Sequence, residues 1–196
     1  MAIVGIVLVL LVVIVTRPDD FHVERSAQID ASPEVVFAIV NNLHNWNEWS
    51  PYDKYDPNMK KTFSGPDTGP GASYAWSGND NVGEGRMTIE ESKPAELVGM
   101  KLEFIRPFAG INRVNFRIAP SEAGSRISWV MDGKNKFMSK AISLMMNMDT
   151  MVGKDFEQGL ANLNKFALRE TLRISRESNP EPAVPEDKSV PANGTP

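Results

Sequence analysis

The chain contains no cysteine and only two histidines, His22 and His44. The first absence removes disulfides, thiolate metal sites and a cysteine nucleophile together. The second leaves no metal-ligand spacing, and His44 beside Trp46 reads as a loop or helix-end residue, not a catalytic base. No run of lysines and arginines occurs, so nothing neutralises a phosphate backbone and nucleic acid binding is not expected. The formal charge is only −4, and it is unevenly placed. Residues 177–196 carry Glu177, Glu181, Glu186 and Asp187 against Lys188, which leaves a nearly neutral body. Gly83-Glu84-Gly85-Arg86 lacks the spacing and strand-to-helix setting of a phosphate loop, and no nucleophile-elbow serine is present. Neither a cofactor, a metal nor a catalytic residue is indicated.

What is present is hydrophobic patterning. The chain has 196 residues, 41% of them apolar, enough for one domain with a full core and short extensions. Ala2 to Val15 is apolar apart from Gly5. Fourteen residues reach ~21 Å as a helix, against a hydrocarbon core of ~30 Å. With Met1, Thr16 and a snorkelling Arg17 the run suffices for a thin span, and residues 1–17 are expected to form a single-pass membrane anchor. A cleaved signal segment and a buried strand or helix are the alternatives. The side of the membrane is not readable, because Arg17 is the only basic residue near either end.

Phe21–Asp30 alternates, with Phe21, Val23, Ala27 and Ile29 on one face and Arg25 as the exception. Ala31-Ser32-Pro33-Glu34 is a helix start, with Ser32 as N-cap and Pro33 at the first helical position. A short helix follows, and then an aromatic segment, Trp46-Asn47-Glu48-Trp49-Ser50-Pro51-Tyr52. Strands are predicted over 59–63, 73–77, 85–91, 96–106, 112–119 and 125–132, joined by Gly/Pro/Asn turns. Met87 and Ile89 point inward in one of them while Arg86, Thr88 and Glu90 point outward. Close spacing makes the set an antiparallel meander with one apolar face.

The closing stretch, from Met138 to about Arg176, contains no proline. Met138, Ile142, Met145, Met148, Val152, Phe156, Leu160, Leu163 and Ala167 recur at helical spacing and predict one long amphipathic helix. Gly153 and Gly159 each weaken it by ~1 kcal/mol relative to alanine, so two helical pieces are an open alternative. Asp149, Asp155 and Glu157 are expected on different faces, as solvated, capping or ion-paired groups. The methionines are either ordinary core or the deformable wall of a cavity. Residues 177–196 are proline-rich and acidic and are expected to be disordered.

Burying the apolar face of the sheet against the stripe of the helix is the economical arrangement. The gap between them would be lined by Trp49, Tyr74, Trp76, Met87, Phe104, Phe116, Trp129, Met145, Met148 and Phe156. Glu84, Arg86, Tyr74 and the two indole nitrogens of Trp49 and Trp76 would be its polar handles, a composition suited to a small-molecule site. A tightly packed core without a cavity is the competing outcome.

The segments Val23-Glu24-Arg25-Ser26, Ala31-Ser32-Pro33-Glu34-Val35-Val36-Phe37, Trp46-Asn47-Glu48-Trp49-Ser50-Pro51, Tyr74-Ala75-Trp76-Ser77-Gly78, Gly85-Arg86-Met87-Thr88-Ile89 and Gly153-Lys154-Asp155-Phe156-Glu157 together resemble the polyketide cyclase/START-like (SRPBCC) superfamily. The resemblance covers roughly residues 21–168. It implies an α+β helix-grip fold, in which a curved antiparallel sheet of about seven strands wraps around a long C-terminal helix. It also implies a hydrophobic pocket, and a membrane helix ahead of the domain in members of this kind. Relatives bind lipids or sterols, cyclise or dehydrate polyketides, or assist chaperones, so no catalytic residue transfers. The expected organisation is anchor 1–17, domain 21–176 and tail 177–196. The expected function is membrane-tethered binding of a hydrophobic or amphipathic molecule, with a lipid as one candidate. A cyclase or dehydratase activity and a structural, partner-binding domain with a filled core are the alternatives.

Overall fold

The computed structural model describes residues 20–134 and 148–179, with Val12, Ile14, Thr16 and Pro18 ahead of them. Strand β1 (Asp20–Ile29) opens the domain, followed by α1 (Pro33–Val40), a 3-10 turn (Leu43–Asn45), α2 (Trp46–Trp49) and a second 3-10 turn (Pro51–Lys54). Six strands then follow in succession: β2 (Lys60–Ser64), β3 (Ser73–Ser77), β4 (Glu84–Lys93), β5 (Leu97–Arg106), β6 (Gly110–Ser121) and β7 (Gly124–Lys134). Helix α3 (Met148–Ser178) closes the chain.

The seven strands form one antiparallel sheet in the order β1-β7-β6-β5-β4-β3-β2. Alternation decides its faces. Val23, Met131, Val114 and Met100 share one inward row across β1, β7, β6 and β5, and Phe116, Trp129 and Val98 share another. Register shifts in β4, at Glu84/Gly85 and at Ile89/Glu91, interrupt its pairing with β5, and bulges of this kind bend a sheet. The helix-grip arrangement and its seven strands are as the sequence indicates.

Ser32 does occupy the N-cap of α1 with extended backbone, yet its side chain caps no helical N–H. The nearby Ser32 side chain holds the Glu34 carboxyl below its ordinary pKa. Helix α3 runs unbroken through Gly153 and Gly159. A Cβ on Gly159 would lie 2.7 Å from the Trp129 ring, and one on Gly153 would collide with the Arg25 guanidinium. The glycines therefore let the helix approach the sheet closely.

Arg25, the irregular residue of β1, reaches into that notch. Its Nε donates to Glu157 at 2.8 Å, Nη1 to Asp149 at 2.9 Å and to the Glu24 carbonyl, and Nη2 to both the carboxylate and the carbonyl of Asp149. Asp149 and Glu157 thus converge on one side of the helix and do not spread over different faces. Eight residues are a little over two turns, which brings them back into rough alignment. Asp155 alone stands apart and accepts a hydrogen bond from the Tyr55 hydroxyl at 2.6 Å.

Among the described residues no helix is long and apolar enough to cross a membrane. The anchor expected over 1–17 lies outside the described residues, apart from Val12, Ile14 and Thr16, which are helical. Met138, Ile142 and Met145, the side chain of Met148, and the tail beyond Asn179 also lie outside them.

Candidate functional site

The inward face divides into two regions of different character. The first lies where α3 meets α2, β6 and β7. Trp129 stacks on Phe156 with ring centroids 4.1 Å apart and planes 9° from parallel. Phe116 sits 4.9 Å from Trp129, and Trp49 meets Phe116 edge-on at 5.9 Å. Trp46 completes the cluster at 4.7 Å from Trp49, with its Nε1 donating to the Val40 carbonyl. Such pairs contribute ~0.5–1.5 kcal/mol each beyond area burial. Trp49, Phe116, Trp129 and Phe156, named from the sequence as candidate ligand-facing residues, pack against one another. Trp46, whose candidacy the sequence did not mark, is fully part of this core at 1% exposure.

The second region is the inner face of β2–β5. Tyr74 lies 5.9 Å from Trp76 and 5.8 Å from Phe63, and Phe104 meets Trp76 edge-on at 5.9 Å. Trp76 lies flat over Gly85, where a Cβ would stand 2.5 Å from its ring, and its indole N–H donates to the Val82 carbonyl at 3.0 Å. Met87 pairs across β3–β4 with Tyr74 and is buried. Tyr74, Trp76, Met87 and Phe104 therefore lie together on one face of the sheet, called the wall below.

At the edge of that wall is a polar group that the sequence reading missed. Lys61 pairs with Trp76 across β2–β3 and so faces inward. Its ammonium holds Asp53 and Asn47, each at 2.5 Å, and lies 5.6 Å from the centre of the Tyr74 ring. The Lys61 side chain is 12% exposed and that of Asp53 29%. Met59, Lys61 and Phe63 alternate in sequence, so the inward direction of Lys61 was readable. Its charge gives the opposite signal, toward the surface. Tyr52 and Tyr74 lie nearby, and desolvation pushes both phenols well above their ordinary pKa. Asp53 Oδ2, Trp49 Nε1 and Trp129 Nε1 are buried and unpaired among the described residues. Unpaired buried groups cost ~1–3 kcal/mol each.

Glu84 and Arg86, expected as polar handles, do not face this wall. Gly85 and Met87 point inward, so strand alternation turns their neighbours outward. Arg86 is exposed, and Glu84 reaches Arg106 at 3.5 Å on the rim. His44 stacks on Phe63 at 4.0 Å from the 3-10 turn. Among the described residues no group of acidic and histidine side chains is arranged to hold a metal ion. The wall presents apolar surface, one ammonium, one carboxylate and two phenols, which suits holding an amphipathic molecule more than attacking one.

Residues 20–167 match the sequence profile of a family described as polyketide cyclase/dehydrase and lipid transport. The chain belongs to that family. Solved structures share its fold at low identity. Protein MLL2253 from Mesorhizobium loti superimposes with a TM-score of 0.56 at 18% identity, covering 77% of this chain and 98% of its own. Protein CV1439 from Chromobacterium violaceum gives 0.53 at 16% identity, with 76% and 98% covered. The Aha1 dimer from Colwellia psychrerythraea gives 0.53 at 13% identity, with 74% and 93% covered. Comparison with curated proteins finds no significant match. At these identities the likeness establishes a START-like fold and nothing finer.

Proposed function

We propose that this family member is a membrane-tethered module that holds a hydrophobic or amphipathic small molecule, with a lipid as the leading class. The molecule's apolar part lies against Tyr74, Trp76, Met87 and Phe104, and its polar end meets Lys61. The apolar run at Ala2–Val15 is the tether. One observation carries the reading: an apolar face ends in a partly buried Lys61–Asp53 pair, and Asp53 Oδ2 is buried with no hydrogen-bond partner among the described residues. Groups of that kind are kept in an interior when a ligand satisfies them.

The test uses two fluorescent naphthalene probes, one neutral (N-phenyl-1-naphthylamine) and one anionic (1-anilinonaphthalene-8-sulfonate), with native mass spectrometry of the protein after mild extraction. Trp76→Ala should weaken both probes by about tenfold or more, equivalent to ~1.4 kcal/mol. Lys61→Met should weaken the sulfonate alone. A protein that carries no co-extracted compound and binds neither probe would sink the proposal.

A further inference from the structure

The β5–β6 hairpin leaves three large apolar side chains in solvent: Ile105 at 58% exposure, Phe108 at 47% and Ile111 at 64%. They cluster at one tip, because Phe104 pairs with Gly110 and the chain turns between them. Pairing across the sheet shows which end of the domain this tip occupies. Phe21 at the start of β1 lies opposite Gly133, Gly133 opposite Asn112, and Asn112 opposite Leu102. The hairpin tip and the start of β1 therefore project from the same end of the sheet. The turn between β6 and β7, at Ser121–Gly124, lies at the other end.

The start of β1 is where the apolar run arrives. Only five steps of chain separate Val15 from Asp20, a reach of about 17 Å. Two strand spacings, about 10 Å, separate β1 from β6. Whatever surface the run enters, the hairpin tip stands beside it. The charges around the tip are mostly matched. Arg106 meets Glu84 at 3.5 Å, Lys101 meets Glu103 at 3.3 Å and His22 meets Asp132 at 2.7 Å. Arg113 and Lys134 have no carboxylate partner among the described residues, and both line an open cleft of about 680 Å³ that also includes Ile111, Asp20 and Glu90. Apolar side chains over a charge-balanced, polar base fit the interfacial layer of a bilayer.

We propose that the β5–β6 hairpin is a second membrane contact, in which Ile105, Phe108 and Ile111 enter the headgroup–acyl boundary of a lipid bilayer. This rests on the tether reading above: three side chains alone bind weakly, and the tether supplies the effective concentration that makes the contact persistent. Docked this way, the domain has its β1 start and hairpin against the membrane and its β6–β7 turn away from it.

The absence of cysteine makes the test direct. The full chain is reconstituted in phosphatidylcholine–phosphatidylglycerol vesicles carrying a doxyl-lipid quencher, with an environment-sensitive nitrobenzoxadiazole label at Phe108→Cys or at Glu122→Cys. The label at 108 should be blue-shifted and quenched several-fold more than the label at 122. Adding Ile105→Asp and Ile111→Asp should abolish that difference without releasing the chain from the vesicles. Equal, weak quenching at both positions in a chain that resists carbonate extraction would overturn the hairpin contact and leave the tether standing. A chain that stays with the soluble fraction would overturn both.

Discussion

Gly159 marks the place where helix propensity and packing oppose each other. Alanine there would gain ~1 kcal/mol of intrinsic helix preference. Its methyl group would also come within 2.7 Å of the Trp129 ring and 3.2 Å of Pro51. Trp129 is stacked on Phe156 and 3% exposed, so it has nowhere to move. Overpacking of this kind costs ~1–3 kcal/mol, and the collision should win. Gly159→Ala is expected to lower the urea midpoint of the chain, while a raised midpoint would show that the ring gives way. The same residue explains why composition misleads here. In the sequence Gly159 is a weak point of a helix, and only the partner ring shows it to be a contact surface. Lys61 shows the same conflict, its alternation with Met59 and Phe63 pointing inward while its charge points outward.

Between elements, the join of β1 to α3 rests on Arg25 and its two carboxylates. The Arg25 guanidinium hydrogen-bonds Asp149 and holds that carboxyl below its ordinary value of 3.8. A carboxylate whose folded pKa is depressed stabilises the fold above its unfolded pKa, and the contribution is lost as pH falls through the lower folded value. The stability difference between the wild type and Asp149→Asn should therefore be full well above the ordinary value of 3.8 and close progressively as the pH falls through and below it. Chemical unfolding at several pH values measures it; a difference that widened on acidification would contradict the clamp. The strands and α1 were legible as elements because each carries its own period of apolar residues. The convergence of Asp149 and Glu157 was not, since it depends on a guanidinium 124 residues before Asp149 in sequence.

For the whole molecule, the inner face of the sheet has two regions, a ring-packed one that meets α3 and one that ends in Lys61 and Asp53. A ligand that binds the folded form alone adds stability by mass action, ~2.7 kcal/mol at a hundred times its dissociation constant. For a domain of this size that should raise Tm by roughly 5–10 °C. Saturating the extracted protein with the anionic naphthalene probe and following thermal unfolding checks this, and Lys61→Met should reduce the rise. An unchanged Tm at saturation would place the probe on both folded and unfolded chains, outside any built site.

Apolar periodicity alone determined that this chain makes seven alternating strands and a long one-sided helix, since period two and period 3.6 are local properties of the side-chain order. It also set which residues are inward. What tertiary structure decided is what the inward residues do when they meet. Trp49, Phe116, Trp129 and Phe156 become packed core because α3 comes close enough, through Gly159, to bring their rings into contact. Tyr74, Trp76, Met87 and Phe104 become a separate wall, with Lys61 at its edge in place of Glu84 and Arg86. Closeness between segments far apart in the chain is set by the bend of the sheet and the seating of the helix, and no local pattern of residues encodes that distance.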